Sequence, residues 1–226
     1  MSETDRTRHT IALIGGTGPE GKGLATRFAI AGHKVIIGSR DPARGIEAAT
    51  DLNQQLSALA EVDITGDTNE NAVSIANIAV VTVPYGGHQA TLESLKLMLV
   101  DKIVIDAVVP VYFEKGPRPI DVPAGSATEE AAAILPDSKV AGAFHNLSAE
   151  ILLDPDADLN ADVLITGSGV AKEVAIQLAS DIKGARAVDS GPLRYSRFVE
   201  GITILLIGIN SRYKTHTGVT VSGLEQ

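Results

Sequence analysis

The stretch "IALIGGTGPEGKGLATRF", Ile11 to Phe28, packs five glycines between a run that reads as a buried strand and a run that reads as a helix. Bare backbone at a strand-to-helix turn serves a close approach. Gly16, Gly18 and Gly21 satisfy G-x-G-x-x-G in the context that gives the pattern a mechanism. One glycine makes the tight turn, one lets a pyrophosphate reach the backbone, and one lets helix and strand pack closely. The helix N-terminus then offers free N–H groups and a positive dipole end to an anion.

The rest of the chain repeats the strand–helix rhythm of a parallel sheet covered by helices. Strands are expected at Thr10 to Ile14, Lys34 to Gly38, Val62 to Thr65 and Ile78 to Pro84, the last almost entirely β-branched and apolar. "KIVIDAVVP" supplies a further strand and a loop, and "KVAGAFHNL" one more strand. The first helix is expected to run to about Ala31. The next has Asp41 as N-cap and Pro42 at its first position. Ser126 and Glu129 form a capping-box signature for a helix ending before Pro136. From about Ala149 the rhythm changes: "ILLDPDADLNADVLITGSG" reads as a loop and a strand, "VAKEVAIQLASDI" as a helix, and Leu193 to Asn210 as a long apolar-faced helix. The expectation is an α/β fold, a Rossmann-type doubly wound parallel sheet over residues 1–148 with a small C-terminal α/β domain over 149–226.

At 226 residues the chain suits one well-packed domain, or one with a small companion. A formal net charge of −9 argues against a nucleic-acid or anionic-membrane partner, so a polyanionic ligand must be held by a local basic cluster. Cysteine is absent, which removes disulfides, thiolate zinc sites and a cysteine nucleophile. The start, "MSETDRTRHT", has no apolar leader core, and "GITILLIGIN" is too short to span a bilayer as a helix. A soluble cytoplasmic protein is expected.

The end of the second strand discriminates between dinucleotides. An Asp or Glu there holds a ribose 2′-hydroxyl, whereas this chain has "IIGSRDPAR". Ser39, Arg40 and Arg44 are suited to a 2′-phosphate, because a guanidinium makes parallel charged hydrogen bonds and a hydroxyl adds a donor. NADP is therefore expected over NAD. Pro84, Tyr85 and His88 follow the fourth strand, where ligands of such sheets lie, and are candidates to line a nicotinamide pocket. His145 follows another strand at the same edge. There is no G-x-S-x-G, no H-E-x-x-H and no suggestive carboxylate pair. Hydride transfer between two bound rings needs none of these; it needs the reacting carbons held close and aligned.

Five segments, the glycine stretch through "GSRDPAR", "VTVPYGGHQATL", "IDAVVPV", "AFHNLSAE" and "SGPLRYSRFVEGITILLIGINSRYK", resemble the F-420-dependent NADP reductases from about Thr10 to the C-terminus. The resemblance implies hydride transfer between NADP(H) and the 5-deazaflavin coenzyme F-420, a Rossmann domain with a small C-terminal domain, and a homodimer. It implies that Thr17, Gly18, Pro19 and Glu20 surround the pyrophosphate, beside Gly16 and Gly21 of the glycine pattern, and that Ser39, Arg40 and Arg44 hold the 2′-phosphate. Tyr85 would sit beside the nicotinamide, and His145, Leu147 and Ala149 would flank the deazaflavin. Two positions depart from the family pattern: Pro19–Glu20 replaces an Asn and an apolar residue, and one extra residue separates Tyr85 from His88. Arg194, Arg197, Arg212 and Lys214 against Glu200 make four positive and one negative charge, a local +3. That cluster suits the phosphate and glutamate tail of F-420, with Arg197 singled out, and equally suits the C-terminal half of a helix. Two alternatives stay open: an NADPH-dependent flavin reductase, and a non-enzymatic NADP(H)-sensing module.

Overall fold

The computed structural model describes residues 7–224; most of the polar start read above lies outside them, as do residues 225–226. The described residues form ten strands and eight α-helices, alternating except at the hairpin. They run β1 (Thr10–Ile14), α1 (Pro19–Ile30), β2 (Lys34–Ser39), α2 (Pro42–Leu56), β3 (Asp63–Thr68), α3 (Asn69–Ile75), β4 (Ile78–Val81), α4 (His88–Leu95) and β5 (Ile103–Asp106). A short hairpin of β6 (Val111–Phe113) and β7 (Pro117–Pro119) follows, then α5 (Ala127–Ile134), β8 (Lys139–Gly142), α6 (Ala149–Leu153), β9 (Ala161–Gly167), α7 (Gly169–Ser180), β10 (Ala185–Asp189) and α8 (Ser196–Tyr213).

Eight strands form one sheet in the order β10-β9-β8-β5-β4-β1-β2-β3. Every neighbouring pair is parallel except β8 with β9. Residues beyond 149 thus add their two strands to the same sheet. The chain winds outward from β1 through β2 and β3, then returns to β4 on the other side of β1. That reversal leaves a crevice at the carboxyl ends of β1 and β4.

The period-two alternation of strands explains the double winding. Ile11 and Leu13 of β1 face a core built with α1, α2 and α7, including Leu24, Phe28, Leu52 and Leu178. Ala12 and Ile14 face the opposite core with α3, α4 and α5, including Val73, Leu92 and Ala131. Phe28 and Phe144 meet edge-on at 5.5 Å between ring centroids within the first core.

Several boundaries differ from the sequence expectation. The third strand runs three residues past Thr65, pairing with β2 as far as Ser39, because backbone pairing rather than hydropathy sustains a polar edge strand. Residues 151–153 close α6 instead of a loop. The long helix begins at Ser196, after a 3-10 turn at Leu193–Tyr195, and reaches Tyr213, where Lys214 in the left-handed region ends it. Asp41 and Ser126 cap α2 and α5 as expected, accepting from Ala43 N–H at 3.0 Å and Glu129 N–H at 3.1 Å.

Candidate functional site

At the carboxyl end of β1 the loop is shaped by what it has no room for. A Cβ on Gly21 would strike the Gly16 backbone, so the first turn of α1 lies directly on the loop. Gly15 adopts φ +73°, and its N–H donates to Asn69 Oδ1 at 3.0 Å. Gly16 N–H donates to the Leu13 and Gly38 carbonyls. Gly18 is different: nothing lies within 4 Å of the position its Cβ would take. It is also the N-cap of α1, and no side chain caps that helix. The loop is therefore rigid beneath and open above, with first-turn amides unspoken for.

Glu20 stands in that first turn. The residue is part-buried, but its Oε1 is shut off from solvent and has no hydrogen-bond partner. Burial alone pushes its carboxyl up to about 8, so the group is chiefly neutral at pH 7.

At the end of β2, Ser39 is buried and its Oγ accepts the Asp41 N–H at 3.2 Å, leaving the hydroxyl hydrogen for another partner. The Asp41 carboxylate is turned into the cap of α2. Arg40 and Arg44 are exposed, and neither is paired with a carboxylate among the described residues. Two free guanidiniums beside a hydroxyl form a cationic grip for a phosphate monoester.

Beyond β4, Pro84 is exposed and Tyr85 is part-buried in a 3-10 turn. The Tyr85 hydroxyl donates to Glu130 Oε2 at 3.3 Å. Burial, aided by Glu130, raises the phenol above its ordinary range, so it stays neutral. His88 lies behind it, fully buried, its ring stacked on Tyr85 at 6.0 Å. Both of its nitrogens are engaged: Nε2 with Asp106 Oδ2 at 2.6 Å and Nδ1 with Glu130 Oε1 at 2.9 Å. Burial opposes its charge, but the two carboxylates outweigh burial and raise it to about 9. His88 is a buried imidazolium that supports the Tyr85 turn, with neither ring nitrogen free for a ligand.

The segment after β8 is fixed from several sides. Asn146 donates from Nδ2 to the Asp162 carbonyl and accepts the Leu164 N–H on Oδ1, in the manner of a strand partner. Leu147 is buried, and Ala149 opens α6. Arg27 of α1 donates to the carbonyls of Ile151, Leu152, Asp154 and Ala157, a cationic cap on the end of α6. A Cβ on Gly23 would meet Leu152 Cβ at 2.5 Å, so α6 sits hard on α1. His145 is buried, its carbonyl accepts the Thr203 hydroxyl of α8 at 2.8 Å, and its Nε2 lies 3.4 Å from Thr128 Oγ1. Its Nδ1 has no partner, and burial, opposed by Asp106, lowers the ring to about 4. Arg197 is exposed at 3.7 Å from Glu129, a loose pair at the solvent rim.

Among the described residues, the only buried side-chain nitrogen or oxygen atoms left without a partner are Glu20 Oε1 and His145 Nδ1. Both belong to segments at the carboxyl edge of the sheet. A fold seldom leaves such atoms unmatched unless a ligand completes them. With the open approach over Gly18 and the free guanidiniums, they make the residues present a fit for a dinucleotide phosphate and a second ring. A separate open cavity lined by Asn53, Ser57, Ala60 and Ile64 lies at the far end of α2 and holds none of these groups. No cluster of His, Cys, Asp or Glu suited to a metal exists among the described residues, and none of their helices is long and apolar enough to cross a membrane.

Sequence reasoning did not single out Asn69, Arg27, Asp106, Thr128, Glu130 or Glu200 as site residues. Two carried a signal: Asp106 ends the buried strand "IVID", and Glu200 is the lone acid of an apolar-faced helix. The others are ordinary surface types whose partners lie far away in the chain.

Residues 10–110 match the family model described as NADP oxidoreductase, coenzyme F-420-dependent. The F-420-dependent NADP reductase of Methanothermobacter thermautotrophicus is 40% identical over 223 residues, covering 96% of each chain. That of Methanocaldococcus jannaschii is 39% identical over 221 residues, covering 95% of this chain and 99% of the relative. A crystal structure of an Arthrobacter sp. FB24 protein superposes with a TM-score of 0.77 at 24% identity, over 94% of this chain and all of that one, a likeness of fold.

Proposed function

The chain belongs to the F-420-dependent NADP reductases, and from that membership we propose that it transfers a hydride between NADP(H) and the deazaflavin coenzyme F-420 at the carboxyl edge of its sheet. The observation that carries the reading in this molecule is the pairing of the open glycine loop with the free Ser39–Arg40–Arg44 grip. The two rings supply the hydride donor and acceptor. The residues bind, orient and exclude water, and orientation is where the rate enhancement comes from.

In this reading Gly16, Thr17, Gly18, Pro19 and Gly21 cradle the pyrophosphate, with the amides of Glu20 and Gly21 facing it. Ser39, Arg40 and Arg44 take the 2′-phosphate and so select NADP over NAD. Pro84 and Tyr85 border the nicotinamide, while His88 supports Tyr85 from behind through Glu130. His145, Leu147 and Ala149 border the deazaflavin, and Arg197 meets its acidic tail. Residues 149–226 supply much of that side, and the cytoplasm is the expected location.

A homodimer is part of the proposal. On α8, Phe198 and Leu205 are 64% and 63% exposed, and Tyr112 and Phe113 of the adjoining hairpin are exposed too. Such a face is more apolar than an isolated chain needs. Light scattering is expected to give twice the chain mass; a monomer at micromolar concentration would remove this part.

The direct test mixes protein with NADPH and oxidised F-420 and follows the deazaflavin absorbance, with NADH in parallel. Rapid bleaching with NADPH and little with NADH is the expected result. NADPH binding without any F-420 reduction would overturn the assignment of the second ring.

A further inference from the structure

His145 is tied to Glu200 through a single hydroxyl. Glu200 Oε2 accepts the Ala127 N–H at 3.0 Å, and Oε1 accepts the Thr128 N–H at 3.1 Å. Oε1 also lies 3.1 Å from Thr128 Oγ1, which is 3.4 Å from His145 Nε2. All three side chains are buried.

Counting hydrogens leaves two arrangements. The Thr128 hydroxyl has one hydrogen, which points to Glu200 or to His145 but not to both. With Glu200 ionised, its oxygens only accept, so the hydroxyl hydrogen turns toward Oε1. The neutral imidazole then carries its hydrogen on Nε2, facing Thr128, and Nδ1 is a bare lone pair. With Glu200 protonated, Oε1 donates to Thr128 Oγ1, the hydroxyl hydrogen swings to Nε2, and the ring hydrogen sits on Nδ1.

We propose that Glu200 and Thr128 are positioning residues that set the tautomer of His145, so that one proton taken up at Glu200 reappears as an N–H at the unpartnered Nδ1. The relay is poised to work near neutrality. Burial, opposed by the two backbone N–H groups and helped by Asp106, raises Glu200 to about 7, while His145 stays neutral. The charged and titratable groups around it are Asp106 of β5, which acts on both ends, Tyr85, whose phenol feels the charge of Glu200, the His88–Glu130 pair of α4 and α5, and the Arg197–Glu129 pair at the rim.

The use of the relay rests on the reading that His145 borders the deazaflavin. NADPH gives up a hydride with its electron pair, and reduction of the deazaflavin takes that hydride and one proton. An N–H at Nδ1 meets the arriving negative charge with a donor, where a lone pair would oppose it. If the Nδ1 proton leaves, Nε2 takes the hydroxyl hydrogen, Thr128 takes the Glu200 proton, and the chain stands in its other arrangement, with Glu200 ionised. Solvent then reprotonates Glu200.

The test uses nitrogen NMR of the His145 ring in the ligand-free, full-length protein between pH 5.5 and 8.5. The ring hydrogen is expected on Nδ1 at the acid end and on Nε2 at the basic end, with a midpoint near 7. Thr128→Val keeps the shape and the backbone caps of Glu200 but removes the hydroxyl, so the swing should be lost; Thr128→Ser should restore it. One unchanging tautomer in the wild type, or an equal swing in Thr128→Val, overturns the relay. In kinetics, Thr128→Val should cost at least about tenfold in kcat for F-420 reduction on the acid side of the profile, with KM for NADPH unchanged. A swing that the hydroxyl controls, with F-420 kinetics indifferent to His145→Asn, supports the relay and overturns the placement of the deazaflavin beside it.

Discussion

Replacing Glu20 by Gln tests the glycine loop by a route that needs no ligand. The carboxyl sits in the first turn of α1 with Oε1 buried and unpartnered, and burial raises it from 4.5 to about 8. The folded-state value lies above the unfolded one, so the acid folds without penalty below 4.5 and destabilises progressively as pH rises toward 8. At about 1.4 kcal/mol per pH unit, the cost of keeping an ionisable group there is about 1 kcal/mol at pH 5 and at most about 4 kcal/mol at pH 8. A carboxamide of the same shape escapes this, because it never ionises. Urea unfolding of both proteins at pH 5, 6, 7 and 8 gives the free energies directly. Glu20→Gln is expected to be the more stable, by a margin that widens with pH. A margin that stays constant across this range would refute the reasoning, since it would place Glu20 in water.

Arg40→Ala should remove one charge-assisted grip on the 2′-phosphate, worth about 1.5–3 kcal/mol. KM for NADPH is then expected to rise about 10- to 150-fold, while the weak use of NADH changes little; an equal loss with both would move Arg40 out of the 2′-phosphate site. His88→Leu should destabilise by about 3–5 kcal/mol near neutral pH, because it leaves the buried Asp106 and the part-buried Glu130 without their cation. The sign of the pH effect is the same as for Glu20, since both groups hold their proton more tightly in the folded state and the wild type loses ground to its variant as pH rises. A histidine raised to about 9 contributes fully below its unfolded value of 6.5 and loses that contribution as pH climbs through 9. The stability gap between wild type and variant should therefore narrow above pH 8, and a gap that widens there would show that His88 is not held as an imidazolium.

What could be read in the sequence was whatever the local backbone demands. Gly16, Gly18 and Gly21 announced their turn because no other residue fits a loop on which a helix lies so closely. Ser39 and Arg40 were legible because the end of β2 has a fixed place relative to that loop. The hairpin of β6 and β7 was not, since two of its six paired residues are prolines and it shows no strand pattern. Nor was the burial of His88, which depends on Asp106 and Glu130, 18 and 42 positions away. Arg27 reads as a surface cation on an amphipathic helix until α6 and the turn after it, more than 120 residues later, present four carbonyls to it.

The part that could not be read is also the part that does the positioning, for a physical reason. Both faces of the sheet are consumed by apolar packing, so polar side chains are buried chiefly where strands end, and each must find its partner on another element. Along the carboxyl edge they do so in succession: Asn69 with Gly15, Tyr85 with Glu130 and His88, Thr128 with Glu200 and His145. The sequence of matches stops at Glu20 Oε1 and His145 Nδ1. In a fold that satisfies buried polar atoms elsewhere among the described residues, two exceptions at the same edge are explained most economically by ligands that complete them. The pH dependence of Glu20→Gln and the tautomer of His145 examine those exceptions one at a time, and neither measurement requires the ligands to be known.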